Sequence, residues 1–453
     1  MSSGKVVAME KAGGREIKSY NFYVDFEPIV ALVKDTVIPK MYKVRQKFDV
    51  PVLKNPVEKL NQELRNKEEV MKKLKGKRVC IAVGSRGIAN IADFVAETVK
   101  VVKDYGGEPF IIPAMGSHGG ATNEGQKQVL EELGITEETV KAPIVSHLDV
   151  ELVGKTRENV PVYASCDALN ADAVIIINRI KPHTSFSGDI ESGIIKMIVI
   201  GLGKQKGAEV CHKMGFYRFS ERLQEMARVI LTKVPVVLGI GLIENAYDET
   251  AEVKALTTDE FFVEEPKLLN LAKSLMPKIL VNNLDVLIVD EIGKDISGDG
   301  MDPNVTGRFA SDYGKGDLIV DRIVVLRLTE RTEGNANGIG VADVTTLKVL
   351  ESTDFTKGYI NSITAAIPRT VRLPMVMPND EMAIKAAIKT ANNFDYVGED
   401  TRIVRIKNTL NVEQIYISQA LLSEVRANSS LEIVDGPIDF AFDEEGNILT
   451  GWK

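Results

Sequence analysis

Residues 78–134 read RVCIAVGSRGIANIADFVAETVKVVKDYGGEPFIIPAMGSHGGATNEGQKQVLEELG, and their periodicity decides the fold. An apolar run, RVCIAV (78–83), ends in a glycine-bearing loop, GSRG (84–87). IANIADFVAETVKVVKDYG (88–106) then carries apolar residues at helical spacing. The same pattern follows again, with EPFIIPAM (108–115) as a strand, GSHGGAT (116–122) as a loop and NEGQKQVLEELG (123–134) as a helix. DAVIIINRI (172–180) predicts a third buried strand. Strands alternating with helices predict parallel βαβ units, whose ligands bind beyond the carboxyl ends of the strands. The expected fold class is α/β: two α/β domains with mainly parallel sheets and an active-site cleft between them.

Outward from this core, residues 1–20 read as a loose leader and Tyr20 to Ile29 as an extended apolar stretch. Asn55-Pro56 opens a charged amphipathic helix over 56–76. Downstream, helices are expected over 216–232 and 257–278 with a strand at 235–245 between them. Strands follow at 284–293, 322–329, 369–376 and 402–409, covered by helices at 341–352, 379–392 and 412–427. The polar loop KDISGDGMDPNVTGR spans 294–308. The expected domains are 1–275, 276–430, and a terminal hairpin over 431–453 that is open to returning to the first domain.

Composition narrows the function. A net charge of -8 supplies no basic surplus for neutralising phosphates, which argues against a general nucleic-acid binder. Cys80, Cys166 and Cys211 are too scattered for a disulfide framework or a cysteine zinc site, so reduced thiols and a cytoplasmic location are expected. The first residues lack the apolar core of a signal peptide, and no run reaches 18 apolar residues, so no membrane span is expected.

Chemistry concentrates in KPHTSFSGDIESGIIKMIVIGLGKQKGAEVCHK (181–213). Lys196 lies inside the apolar run Ile194 to Ile200, where an ammonium must reach a surface, find a partner, shift its pKa or be modified. His183 and His212 bracket it. His118, flanked by glycines at the end of a strand, can exchange protons near neutral pH; a loop histidine serving only the turn is the competing reading. Arg86 in the first loop suits bidentate capture of a carboxylate or phosphate, with a solvated loop arginine as the competing reading. Lys294 opens the later polar loop, where Asp302 and Arg308 are weaker candidates, and His147 reads as structural. IVIGLGKQKG (198–207) imitates a dinucleotide fingerprint, but its third glycine is one residue late and Lys196 interrupts the strand. A zinc hydrolase using His118, His183 and His212 is an alternative of a different class.

Arg86, GSHGG with His118, His183, Lys196 and His212, in this order and with sixteen residues from Lys196 to His212, resemble the nickel-dependent lactate racemase superfamily. The resemblance implies a racemase or epimerase of 2-hydroxy acids working by hydride transfer to a nickel-pincer nucleotide. Lys196 would hold that nucleotide as a thioamide, and His212 would complete the nickel site. His118 and His183 would exchange the hydroxyl proton, and Arg86 and Lys294 would bind substrate. Cofactor-building enzymes are the implied partners, and a non-catalytic carrier of the nucleotide is a further alternative. Arg86 stands in GSRGIAN, where lactate racemases tend to carry an acidic residue and Thr-Arg-Pro, which leaves the particular hydroxy acid open.

Overall fold

The computed structural model describes residues 8–11, 14–17, 24–85, 87–392 and 398–452. Arg86 therefore lies outside the described residues, as does the start of the expected 20–29 stretch. The fold is α/β with mainly parallel sheets. A five-stranded sheet runs in the order Thr250–Thr257, Val236–Glu244, Ala173–Arg179, Arg78–Val83, Glu108–Pro113, and only the Thr250–Thr257 edge is antiparallel. Both later parallel neighbours flank Arg78–Val83, so the chain leaves that strand to one side and the Ala173–Arg179 strand to the other. Such a divergence opens a crevice at the carboxyl ends.

Both faces of this sheet are covered, which is why its parallel strands read as apolar runs rather than alternating. Val79, Ile81, Ile175, Ile177 and Ile240 pack under the helices Pro56–Asn66 and Ile91–Asp104. Cys80, Ala82, Ile112, Val174 and Ile176 pack under the chain from Ile194 to Leu231. Each set of alternate residues serves one layer.

The second sheet has eight strands: Met375–Met377, Val344–Thr346, Val320–Leu328, Leu284–Ile292, Ile403–Asn408, Asn411–Ser418, Met41–Gln46 and Leu431–Ile438, in spatial order. Its first five strands are mutually parallel and its last three pairings antiparallel.

Several expected elements differ. Residues 412–427 are not one helix: NVEQIYIS (Asn411–Ser418) is a strand, exposed at Asn411 and Glu413 and buried from Ile415 to Ser418, and only Leu422–Ala427 is α-helical. Within 369–376 only Met375–Met377 forms a strand, and the 341–352 region holds the strand Val344–Thr346 before its helix Leu347–Ser352. Phe26–Val33 is helical rather than extended. The 431–453 segment places Leu431–Ile438 beside Met41–Gln46 in the larger sheet, so it joins the second unit and not the first. The first 50 residues likewise contribute a strand to the larger sheet, against an N-terminal domain that includes them.

The chain thus crosses between the sheets at 47–55 and again at 276–283. Gln46, fully buried, ties the crossings together. Its Nε2 donates to the carbonyls of Lys278 at 2.9 Å and Val412 at 2.6 Å, and its Oε1 accepts from the Leu280 N–H at 2.8 Å.

Candidate active site

The strands Arg78–Val83, Glu108–Pro113 and Ala173–Arg179 end side by side, and the helix bearing Lys196 lies beneath their loops. A Cβ at Gly84 would stand 2.9 Å from the Met197 methyl and 3.0 Å from the Asn178 carboxamide, so glycine lets the first loop lie directly on that helix. Gly116 has a φ of +61° and faces the Ile200 side chain at 3.1 Å from its Cβ position, which brings the second loop down beside the first. Ser85 Oγ is hydrogen-bonded to His118 Nδ1, joining the two loops. Gln126 steadies the His118 turn from inside, its Nε2 donating to the Gly116 carbonyl at 2.9 Å.

Lys196 is half-buried. Ile194–Lys196 is a short α-helical turn, Met197–Gly201 follows with π-type hydrogen bonding, and Lys204–Lys213 resumes as an α-helix carrying His212. Inserted π turns recur at functional sites because they re-aim side chains. Burial, together with the Lys196 charge, pushes the His212 imidazole down to about 4, so it is neutral at physiological pH. Its ring stacks on Phe219 at 6.1 Å and 6°.

His183 belongs to the same cluster through Phe216, whose ring centroid lies 6.0 Å from His183 and 6.3 Å from His212. The Ser185 N–H donates to His183 Nδ1 at 3.0 Å, which puts the proton of the neutral ring on Nε2. Glu191, 1% exposed, accepts the His183 N–H at 2.6 Å and pairs with Lys273 at 2.6 Å, fixing the start of the loop.

The second unit closes on this loop. Asn304 Nδ2 donates to the His183 carbonyl at 3.3 Å, and the Ser187 N–H donates to the Tyr313 carbonyl at 2.8 Å. Asp299 meets Ser185 Oγ at 3.5 Å and is hydrogen-bonded by Thr184; burial raises its carboxyl against that bond and the charge of Lys294. Lys294 Nζ donates to the Gly298 carbonyl at 2.6 Å, so it reaches the His183 loop by way of Asp299. Arg308 serves instead as a local clamp on Asp343 and the Val320 and Asp321 carbonyls, and Asp302 caps the turn Pro303–Thr306.

His183, Lys196 and His212 are thus brought together, with His118 on the adjoining loops. Among the described residues no three His, Cys, Asp or Glu side chains are grouped as metal ligands, so the three-histidine zinc site has no counterpart. His118 is held by Ser85 while aromatic rings separate His183 from His212. Residue-by-residue reading missed Phe216, Phe219 and Asp299. FYRF (216–219), with three aromatic residues shortly after His212, carries the signal for the first two.

Lys204, from the imitation fingerprint, is buried completely with its Nζ on the Pro113 carbonyl at 2.5 Å. Burial pushes its amine down to about 8, against the ordinary 10.5. The folded chain therefore binds fewer protons here than the unfolded chain between pH 8 and 10.5, and stability from this group rises across that window. The stability difference between wild type and Lys204→Met should therefore move in favour of wild type from pH 8 to pH 10.5, by up to about 3 kcal/mol, over a common background in which the buried Cys80 and Cys211 thiols, pushed up by burial, act in the opposite sense.

A family model described as a domain of unknown function (DUF362) matches residues 84–257. That span includes Arg86, His118, His183, Lys196 and His212, whereas Lys294, Asp299, Asp302 and Arg308 lie beyond it. No curated protein matches the sequence. Among solved structures, the lactate racemase apoprotein from Thermoanaerobacterium thermosaccharolyticum is similar in fold, with a TM-score of 0.50 and 13% identity over 90% of this chain and 99% of that one.

Proposed function

We propose that the chain is an isomerase that racemises or epimerises a small 2-hydroxy acid with a nickel-pincer nucleotide tethered to Lys196. The observation that carries this reading is that the half-buried Lys196 amine acts electrostatically on the neutral His212 ring across the turn that joins their two helical segments. The residues fit the group: the amine can be acylated, which would remove its charge, and a neutral imidazole suits a borderline metal. When bound, the nucleotide supplies a hydride acceptor for C2.

The chain's own groups handle the proton and the orientation. The His118 Nδ1 partner is a hydroxyl, which can donate or accept, so that bond suits either ring tautomer as His118 takes the substrate hydroxyl proton. His183 presents Nε2–H to the C2 oxygen, and full protonation would require Nδ1 to give up the Ser185 amide. Arg86 and Lys294 would hold the carboxylate, which fixes C2 relative to both rings. The implied partners are the enzymes that build the nucleotide, and the expected location is the cytoplasm.

Protein made alongside cofactor-building enzymes should gain a nucleotide-sized mass on Lys196 together with nickel, and should exchange deuterium from C2-labelled hydroxy acids. An active, nickel-free chain with unmodified Lys196 would sink the reading. Loading without deuterium loss or inversion across a hydroxy-acid panel would make the chain a carrier. His118→Ala and His183→Ala should each lower interconversion about 10²–10⁴-fold with the adduct mass intact, measured by intact mass and chiral chromatography.

A further inference from the structure

The helix that carries Lys196 begins without a cap of its own. Gly193 precedes Ile194 and has no side chain with which to accept the first amides. Those amides are served from elsewhere in the sequence. Glu265, on the helix Phe261–Leu275, is 1% exposed, and its Oε2 accepts the Ile195 N–H at 3.0 Å while the Ile194 N–H also reaches the carboxyl. Asn178 Nδ2 donates to the Gly193 carbonyl at 2.8 Å, so the peptide just ahead of the helix is pinned as well.

The fit at Gly193 is close. A Cβ there would lie 2.1 Å from Glu265 Oε1, so only glycine lets the carboxyl reach the helix end. A buried carboxyl without a cation is costly. Burial pushes this one up to about 8 even against the two amide hydrogen bonds, and its Oε1 finds no hydrogen-bond partner among the described residues. A residue kept at such a cost needs a use.

The use lies one turn later. Beyond Lys196 the ladder changes to π spacing over Met197–Gly201, so regular α-helical hydrogen bonding cannot fix the register of the lysine from behind. We propose that Glu265 is the positioning residue for Lys196, its carboxyl capping the Ile194 and Ile195 amides and thereby setting the direction in which the lysine leaves the helix. This rests on reading Lys196 as the tether, but its test needs no nucleotide.

The full chain, made without cofactor-building enzymes, is treated with a limiting amount of an acetylating N-hydroxysuccinimide ester. Acetylation of Lys196 is read by peptide mass spectrometry relative to Lys206 and Lys213, and exchange at the Ile194 and Ile195 amides is read by hydrogen–deuterium exchange. In Glu265→Ala those amides should exchange at least tenfold faster, and relative Lys196 labelling should change at least threefold. Glu265→Gln, whose amide oxygen still accepts an N–H, should stay within twofold of wild type. Gly193→Ala, which pushes the carboxyl away from the other side, should reproduce the alanine result, and it stands in if Glu265→Ala does not fold. Unchanged labelling and exchange in a folded Glu265→Ala or Gly193→Ala chain would overturn the proposal, as would equal effects of Gln and Ala. If labelling follows Glu265 but co-produced wild type gains no adduct, the tether reading alone fails.

Discussion

Lys196→Ala is expected to leave a folded chain that gains no nucleotide, holds no nickel and shows no detectable racemase activity. The fold should tolerate the change because Lys196 is half-buried and its neighbours Ile194, Ile195, Met197 and Ile198 supply the apolar packing of this helix. Removing an ammonium from such surroundings also relieves desolvation, and alanine favours helix. The His212 imidazole, freed from an adjacent positive charge, should shift upward from about 4, which NMR titration of its ring would follow. Loss of the adduct with a preserved melting temperature and a raised His212 pKa would separate a chemical role for Lys196 from a structural one. Retained activity in this variant would refute the tether.

The largest effect on stability is expected at the far end of the chain. Arg405 is 2% exposed and makes a bidentate pair with Asp290, with Nε–Oδ1 and Nη2–Oδ2 both at 2.7 Å. Its Nη1 donates to the Thr450 carbonyl at 2.8 Å, and the Trp452 Nε1–H donates to Asp290 Oδ2 at 2.8 Å. Tyr416, Phe440 and Trp452 place their rings 5.1–5.5 Å from the guanidinium. Asp290→Ala leaves a buried cation with no counter-charge, which costs about 3–5 kcal/mol. Trp452→Phe keeps the ring and loses one hydrogen bond to a charged group, a cost of about 1.5–3 kcal/mol. Urea midpoints should rank wild type above Trp452→Phe and Trp452→Phe above Asp290→Ala. A reversal of the last two would show that the closing tail, not the ion pair, carries the stability.

Much of the five-stranded sheet is legible because its parallel strands are buried on both faces, and RVCIAV and DAVIIINRI read as largely apolar runs. Thr250–Thr257 escaped notice because, as an antiparallel edge, TAEVKALT mixes Glu252 and Lys254 with buried Val253 and Ala255. In the second sheet, Asn411–Ser418 was read with the helical segment after it, since NVEQIYISQALLSEV satisfies either period over part of its length. Its strand identity depends on Met41–Gln46, some 370 residues earlier, which no local window contains. At the site, Lys196 and the histidines stood out by chemistry. Asp299 and Glu265 did not, because each acts on a backbone or hydroxyl group far away in sequence, and one carboxylate among 64 acidic residues carries no local mark.

Gln46 gives the molecule a mechanical property. A unit attached by one linker can swing and twist, whereas two linkers riveted to each other at a buried amide permit rotation about a single axis. Any opening that admits a ligand should therefore run like a door on that axis. The His183 loop and the Asn304–Tyr313 segment would separate along one fixed arc and meet again in the same alignment.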